Sequence, residues 1–123
     1  MAAAQSRRLP FRRSQRLKQN REFTRVRQTG QRLACGCLIA NWVTLPAGGL
    51  TRLGVVTSGK LGNAVVRGRA RRLLRESFRL HQHDFAQPLE LVLVARPSIV
   101  GCGLAEVEKD FLTAARKAGL IKI

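Results

Sequence analysis

Arginines dominate the residues of this sequence that could take part in chemistry. Six of them lie within the thirteen residues from Arg67 to Arg79, and Lys60 precedes them by a short loop. A guanidinium group binds phosphate oxygens through two parallel hydrogen bonds, so a dense set of arginines indicates binding to a phosphate-rich polyanion. Nucleic acid is the first candidate.

Residues for hydrolysis are scarce near these cations. A two-metal nuclease needs clustered carboxylates, yet Glu76 is the only acid between residues 52 and 79. Four other acids are expected at helix ends or on the surface: Asp84, Glu106, Glu108 and Asp110. His81 and His83 could serve acid–base chemistry, but helical spacing places His81 toward the core, with no partner evident. We therefore expect no catalytic residue and no metal ion on the protein.

The net charge of +16 is concentrated in two segments. Residues 1–32 contain ten basic residues and one acid, and residues 52–79 contain eight basic residues and one acid; the remaining chain is neutral. A protein that is merely highly solvated would spread its charge, so this distribution favours nucleic-acid binding over a generic basic surface. No apolar run approaches the ~20 residues of a membrane span, and we expect a cytoplasmic protein.

The three cysteines indicate buried thiols in a reducing compartment. An odd count argues against a disulfide framework. Cys35 and Cys37 would share one face of a strand, but no C-x-x-C pair supports a zinc site, and Cys102 stands alone.

The first fifteen residues are basic and lack acids, a composition shared by organellar transit peptides and by flexible basic arms. Pro10 would break a short amphipathic helix, which favours a flexible arm over residues 1–15. Residues 16–123 are long enough for a single domain with its own core.

The elements that must position the arginines follow from periodicity. A short helix is predicted from Asn20, its N-cap, to a stop at Gly30. Residues 33–45 and 51–58 predict two strands joined as a hairpin across 46–49, and 90–96 predicts a strand buried on both faces. A last helix is expected to end at Gly119, and the arginine helix runs from Asn63 to about His83.

The arginine helix is amphipathic. At 100° per residue, Val66, Ala70, Leu74 and Phe78 fall on a core arc. The opposite face carries Gly68, Arg71, Arg72, Arg75 and Arg79, while Arg67 and Arg69 flank the core arc. A solvated face normally mixes signs through Glu–Arg pairs four residues apart, and only Glu76 is available here. This pattern favours an anion-binding face over a solvated one.

Gly68 has two readings. Glycine inside a helix costs ~1 kcal/mol relative to alanine, and Gly68 is close enough to the first turn for the cost to be smaller. Alternatively, the missing side chain lets an RNA backbone approach the helix closely.

The stretch GKLGNAVVRGRARRLLRESFR, residues 59–79, resembles the protein subunit of bacterial ribonuclease P. Members typically carry K-K-x-G-N-A-V followed by R-N-R-x-K-R-x-x-R-E-x-F. The loop matches at Lys60, Gly62, Asn63, Ala64 and Val65. The helix matches at Arg67, Arg69, Arg72, Arg75, Glu76 and Phe78, with Arg71 as a basic substitute for lysine. Further similarity extends over roughly residues 16–118.

Four positions depart from the family pattern. Gly59 replaces the first lysine and Gly68 replaces the signature asparagine. Arg27 and Asn41 stand where members often place aromatics in the cleft for the substrate leader, and Trp42 is expected to face away from it. Since one base stack is worth ~1–3 kcal/mol, we expect a less aromatic, more cationic cleft.

The resemblance implies an α+β fold, a two-layer α/β sandwich with a small four-stranded sheet, about three helices and a βαβ crossover through the arginine helix that is left-handed in the family. The fourth strand could come from residues 118–123 or from a split of residues 33–45.

The resemblance also implies an activity, removal of the 5′ leader from precursor tRNA, catalysed by an RNA subunit. Mg²⁺ is expected to be bound mainly by that RNA and the substrate, with the protein monomeric in the ribonucleoprotein. The residues implied to bind the RNA subunit are Lys60, Asn63, Arg67, Gly68, Arg69, Arg71, Arg72 and Arg75. Those implied to form the leader cleft are Arg16, Phe23, Arg25 and Arg27. The alternative from another class is a structural RNA-binding protein of ribosomal type.

Overall fold

The computed structural model describes residues 11–121, which fold into three helices and one four-stranded sheet. In chain order the elements are α1 (Asn20–Thr29), β1 (Gln31–Cys35), β2 (Leu38–Thr44), β3 (Arg52–Val56), α2 (Ala64–His81), β4 (Leu89–Ala95) and α3 (Leu104–Lys117). The predicted α+β class, with a four-stranded sheet and three helices, is confirmed. Within the described range, no helix is both long and apolar enough to cross a bilayer.

The strand order is β1-β2-β4-β3, with β4 antiparallel to β2 and parallel to β3. The predicted hairpin between the second and third strands is therefore wrong. The almost fully buried strand β4 lies between them: it pairs with a strand along each edge, and its continuous apolar run is covered on both faces of the sheet. The βαβ unit β3-α2-β4 is present as predicted.

The fourth strand comes from a split of the long apolar stretch. Gly36 has φ +56°, a left-handed conformation that favours glycine, and the chain reverses there so that Cys35 pairs with Leu38. The Asp110 carboxylate accepts a hydrogen bond from the Cys37 amide at 3.0 Å and so fastens the turn to α3.

Strand alternation gives the sheet two apolar faces. The larger core includes Leu38, Trp42, Leu91 and Leu93, and α2 and α3 cover it. A smaller cluster of Leu17, Val26 and Val92 lies on the other face under α1. Helices α1 and α2 therefore pack on opposite faces of the sheet.

The arginine helix is fixed at its start and along its apolar side. The Asn63 side chain accepts a hydrogen bond from the Val66 amide at 3.0 Å, which confirms the predicted N-cap. Ala70, Leu74 and Phe78 are buried. The helix ends at His81, two residues before the predicted end. In α1 the N-cap is Gln19, one residue before the predicted Asn20.

Residues 11–17 pack against the domain, although residues 1–15 were expected to form a free arm. The Leu17 amide donates to the Leu53 carbonyl at 2.9 Å, so the segment pairs with the outer edge of β3. Phe11 meets the buried Phe78 ring edge-on, with centroids 5.7 Å apart. Residues 1–10 of the predicted arm lie outside the described residues.

Candidate nucleic-acid interface

A cleft of about 440 Å³ runs between α1, the second half of β3 and α2. We call it the α1 cleft; it is lined by Asn20, Phe23, Thr24, Arg27, Val55, Val56, Thr57 and Arg71. The α1 members fall three and four residues apart and so share one helix face. Beyond Leu53, no segment within residues 11–121 pairs with the outer edge of β3, which leaves this part of the strand edge open.

The Phe23 ring lies directly on the backbone of β3 because residue 54 is glycine. A Cβ added to Gly54 would stand 2.4 Å from the ring, well inside the contact distance of real atoms. Gly54 is buried and Phe23 is partly exposed. The cleft therefore has a fixed aromatic side chain with room for a second flat group.

Asn41 and Trp42 occupy opposite faces of β2, as expected. Trp42 belongs to the larger core, whereas Asn41 is buried on the α1 face of the sheet. Phe23 is the one aromatic residue in the lining of the α1 cleft, beside the cations Arg27 and Arg71.

Arg25 points away from the α1 cleft toward a buried carboxylate. Glu90 on β4 is only 3% exposed, and both Arg25 and Arg52 form ion pairs with it. Arg52 also donates to Glu22 at 2.8 Å. The four side chains form a network that holds α1 to the sheet, so the structure does not place Arg25 with Phe23 and Arg27.

Glu22 is both a helix cap and a member of this network. Its carboxylate accepts hydrogen bonds from the backbone amides of Lys18 at 2.9 Å and Gln19 at 3.1 Å. These bonds, with a smaller contribution from Arg52, lower the pKa of Glu22 to about 2.

Arg16 lies on the other face of the sheet. Leu17 points into the cluster under α1, so its neighbour Arg16 points toward α2 by strand alternation. The Arg16 guanidinium carbon lies 5.0 Å from the centroid of the Phe11 ring. Sequence spacing alone does not show that Arg16 lies on the opposite face from Phe23, because its position depends on the pairing of residues 16 and 53.

The arginines of α2 divide among three surfaces. Arg71 enters the α1 cleft and donates to the Thr57 hydroxyl at 2.8 Å. Arg72 and Arg75 line a separate groove beside the N-terminal segment. Arg69 lies on a third side, near Ile99 and Gly101.

Arg75 lies near two other cations, Arg16 of the N-terminal segment and Arg71 of the α1 cleft. Partial burial, together with the charges of Arg16 and Arg71, lowers the pKa of its guanidinium group. Neither Arg72 nor Arg75 forms an ion pair with a carboxylate of residues 11–121. An anion bound here would relieve the repulsion among these charges.

The loop before α2 presents its polar groups at the surface. Lys60 is exposed in a 3₁₀ turn, Gly59–Leu61, and Asn63 is exposed while capping the helix. Arg67 is partly exposed, and its guanidinium lies 3.7 Å from the position of a Cβ on Gly59.

A side chain at position 68 would fit without a clash. A Cβ built there would have the Arg71 guanidinium as its nearest neighbour, at 3.8 Å. The packing of the protein therefore does not require glycine at this position.

Two further titratable side chains, His81 and Glu106, make contacts within the fold. His81, expected to lack a partner, contacts Asp84 at 2.9 Å and Glu108 at 2.6 Å, and so links α2 to α3. Glu106 accepts from the Gly103 amide at the start of α3. No group of three or more His, Cys, Asp or Glu residues within 11–121 is arranged to hold a metal ion.

The cysteines are free thiols. Burial, followed by the neighbouring Asp110, raises the pKa of Cys37 to about 12, which leaves its thiol protonated at neutral pH. Cys35 and Cys37 lie on either side of the turn at Gly36 and both contact the larger core.

Of the eight residues that line the α1 cleft, the sequence assigned only Phe23 and Arg27 to it. Arg71 was predicted to bind the RNA subunit although it lines the α1 cleft, and the lining residues not predicted as site residues are Asn20, Thr24, Val55, Val56 and Thr57. The spacing of Asn20, Phe23 and Arg27 could have indicated Asn20, because residues three and seven positions apart share one face of a helix. The N-terminus of α1 therefore lines the cleft together with Phe23.

Comparison with known proteins shows sequence similarity to ribonuclease P proteins. The sequence model of the family described as Ribonuclease P matches residues 11–119. The ribonuclease P protein component of Brevibacillus brevis is 36% identical over 110 residues, which cover 89% of this chain and 87% of the relative. That of Alkaliphilus metalliredigens is 36% identical over 106 residues, covering 86% and 95%.

The fold is also shared with solved structures. The RNase P protein of Staphylococcus aureus superposes with a TM-score of 0.79 at 24% sequence identity, covering 88% of this chain and 98% of that one. The RNase P protein of Thermotoga maritima gives a TM-score of 0.72 at 23% identity, covering 82% and 96%.

Proposed function

This chain belongs to the ribonuclease P protein family, and from that premise we propose that it assists removal of the 5′ leader from precursor tRNA as the protein subunit of a ribonucleoprotein enzyme. The observation that carries the proposal is the presence of two cationic surfaces on one small fold. The α1 cleft combines Phe23 with Arg27 and Arg71, and the outer side of α2 carries Arg72 and Arg75.

The α1 cleft is proposed to bind the single-stranded leader. Its open strand edge, its aromatic ring and its cations are the features that single-stranded RNA uses, through stacking and phosphate contacts. Phe23 and Arg27 act here. Arg16 and Arg25 lie outside the cleft, so we give them no part in leader binding.

The outward side of α2 and the loop before it are proposed to bind the catalytic RNA. The residues on this side are Lys60, Asn63, Arg67, Gly68, Arg72 and Arg75; Arg69 contributes from a neighbouring side of α2, and Arg71 is shared with the α1 cleft. Because these groups are cations and hydrogen-bonding groups, their contribution is to hold and orient phosphates. Mg²⁺ is proposed to be held mainly by the RNA subunit and the substrate.

Reconstitution tests this function directly. The protein is combined with the cognate ribonuclease P RNA and a precursor tRNA that bears a leader, at low magnesium concentration. We expect faster cleavage and tighter substrate binding with the protein than without it, since the protein neutralises phosphate repulsion. Unchanged cleavage and affinity would refute the proposal and favour a structural RNA-binding protein.

Two variants separate the surfaces. Phe23→Ala should weaken binding of leader-bearing precursor about tenfold, as expected for one lost base stack, and leave binding of mature tRNA unchanged.

Arg72→Ala should weaken binding of the RNA subunit while circular dichroism shows an intact fold. Arg116→Ala, at an exposed position of α3, removes the same charge as a control.

A further inference from the structure

A groove of about 470 Å³ lies between the N-terminal segment and α2, on the opposite side of the sheet from α1. We call it the N-terminal groove. Its floor is apolar and consists of Phe11, Leu73 and Leu104, all partly exposed. Its volume falls within the about 300–1,000 Å³ of pockets that bind small organic ligands.

The rim of the N-terminal groove is cationic. Arg16, Arg72 and Arg75 surround the floor and form no ion pair with a carboxylate among residues 11–121. The acid at the rim, Glu76, is neutralised by an ion pair with Arg79, which lowers the pKa of Glu76. The rim therefore presents a net positive charge to any occupant.

The floor is held in place by packing. Phe11 meets Phe78 edge-on, and the Gln15 side chain donates to the Gln82 side chain at 2.8 Å, which fastens the N-terminal segment to the end of α2. The Arg16 guanidinium lies over the Phe11 ring. The groove is thus preformed in the free protein.

We propose that the N-terminal groove binds one unpaired base of the RNA subunit, with the base against Phe11, Leu73 and Leu104 and the adjoining phosphates on Arg16, Arg72 and Arg75. A duplex backbone would use the cations but not an apolar floor. An unpaired nucleotide uses both, because its base has two apolar faces and its phosphate is charged. An acidic protein segment is the competing occupant.

The assignment of the nucleotide to the RNA subunit rests on the proposed function, whereas binding of a base in the groove does not. Placement favours the RNA subunit over the leader, since Arg72 and Arg75 are among the residues proposed to bind that subunit and the groove shares no lining residue with the α1 cleft.

Nuclear magnetic resonance of the methyl-labelled full chain tests the base site. Adenosine 5′-monophosphate is titrated against ribose 5-phosphate, which lacks the base. We expect the adenosine nucleotide to shift the methyl signals of Leu73 and Leu104 and to bind about tenfold or more tightly than ribose 5-phosphate, as one stacked base predicts. Equal affinities, or shifts confined to Val55 and Val56 of the α1 cleft, would overturn the proposal.

Variants of Phe11 separate stacking from packing. Phe11→Leu keeps an apolar side chain against Phe78 but removes the ring, and Phe11→Tyr keeps the ring. The variants are compared only where their melting temperatures match that of wild type. Phe11→Leu should bind both the adenosine nucleotide and the RNA subunit about fivefold or more weakly, whereas Phe11→Tyr should bind both as tightly as wild type does. If the two variants bind the RNA subunit equally while wild type stimulates cleavage, the base site is refuted and the proposed function stands. If wild type fails to stimulate cleavage, the proposed function itself fails.

Discussion

At the residue scale, Glu22 gives the stability of the protein a specific dependence on pH. Hydrogen bonds from Lys18 and Gln19 lower its folded pKa to about 2, below its ordinary value of 4.5. A lowered folded pKa adds stability above the unfolded pKa, and that stability is lost as the pH falls from about 4.5 to 2. Glu22→Gln should cost about 1–2 kcal/mol at neutral pH and flatten this part of the curve. Urea unfolding between pH 2 and 7 measures it; a mutant curve parallel to wild type would contradict the argument.

Glu90 tests the ion-pair network under α1. Glu90→Gln leaves Arg25 and Arg52 without their buried anion, and we expect a loss of about 2–4 kcal/mol in the free energy of unfolding. Arg25→Ala should cost less than about 1 kcal/mol, because half of that side chain is exposed. Urea unfolding of both variants provides the comparison, and equal losses would show that Glu90 acts chiefly through Arg25.

Substitutions of Gly68 distinguish its effect on stability from its effect on RNA binding. Because an added methyl group would make only an ordinary contact with Arg71, at 3.8 Å, Gly68→Ala should raise the free energy of unfolding by up to about 1 kcal/mol. Weaker RNA-subunit binding by this more stable variant would indicate close approach of the RNA backbone. Gly68→Asn completes the test: tighter binding than wild type would mean that the glycine merely lacks a contact.

Individual site residues were predictable where local spacing decides their direction. The helical period placed Ala70, Leu74 and Phe78 in the core and turned Arg72 and Arg75 outward, as observed. It could not show that Arg25 pairs with Glu90 or that His81 meets Glu108, because those partners are 65 and 27 residues away in the chain.

At the scale of elements, the close packing of α1 on β3 requires glycine at position 54. Gly54→Ala would place a methyl group 2.4 Å from the Phe23 ring, so the ring or the helix must shift. We expect a loss of about 1–3 kcal/mol in unfolding free energy and weaker binding of leader-bearing precursor. For stability alone, Gly68→Ala is the matched control, since it adds the same methyl group without a clash. Unaltered stability of Gly54→Ala would show that Phe23 moves freely.

Strand identity was predictable from composition, but strand order was not. Apolar runs located β3 and β4 within one or two residues, while the pairing of β2 with β4 joins residues 45 or more apart in the chain. A hairpin has a low loop-closure cost, which favoured pairing β2 with β3. Burial of β4 between two neighbours outweighs that saving because it covers both of its edges and both of its faces.

At the scale of the whole molecule, the part of the first basic segment that the structure describes, residues 11–32, meets the second basic segment, residues 52–79. Pairing of Leu17 with Leu53 brings the N-terminal segment to α2, and Arg16 comes close enough to Arg75 to lower its pKa. Concentrated charge of this kind makes nucleic-acid affinity strongly dependent on salt, since each neutralised phosphate releases counterions.

The convergence predicts the salt dependence of RNA-subunit binding. The logarithm of the affinity should fall linearly with the logarithm of salt concentration, and each lost phosphate contact should reduce the slope by about one. Arg72→Ala combined with Arg75→Ala should therefore reduce the slope by about two. Arg116→Ala should leave it unchanged, because that exposed side chain on α3 lies outside both surfaces. Equal slopes for all three proteins in filter-binding titrations would mean that α2 does not contact phosphate, and Arg72 and Arg75 would then lose their assigned role.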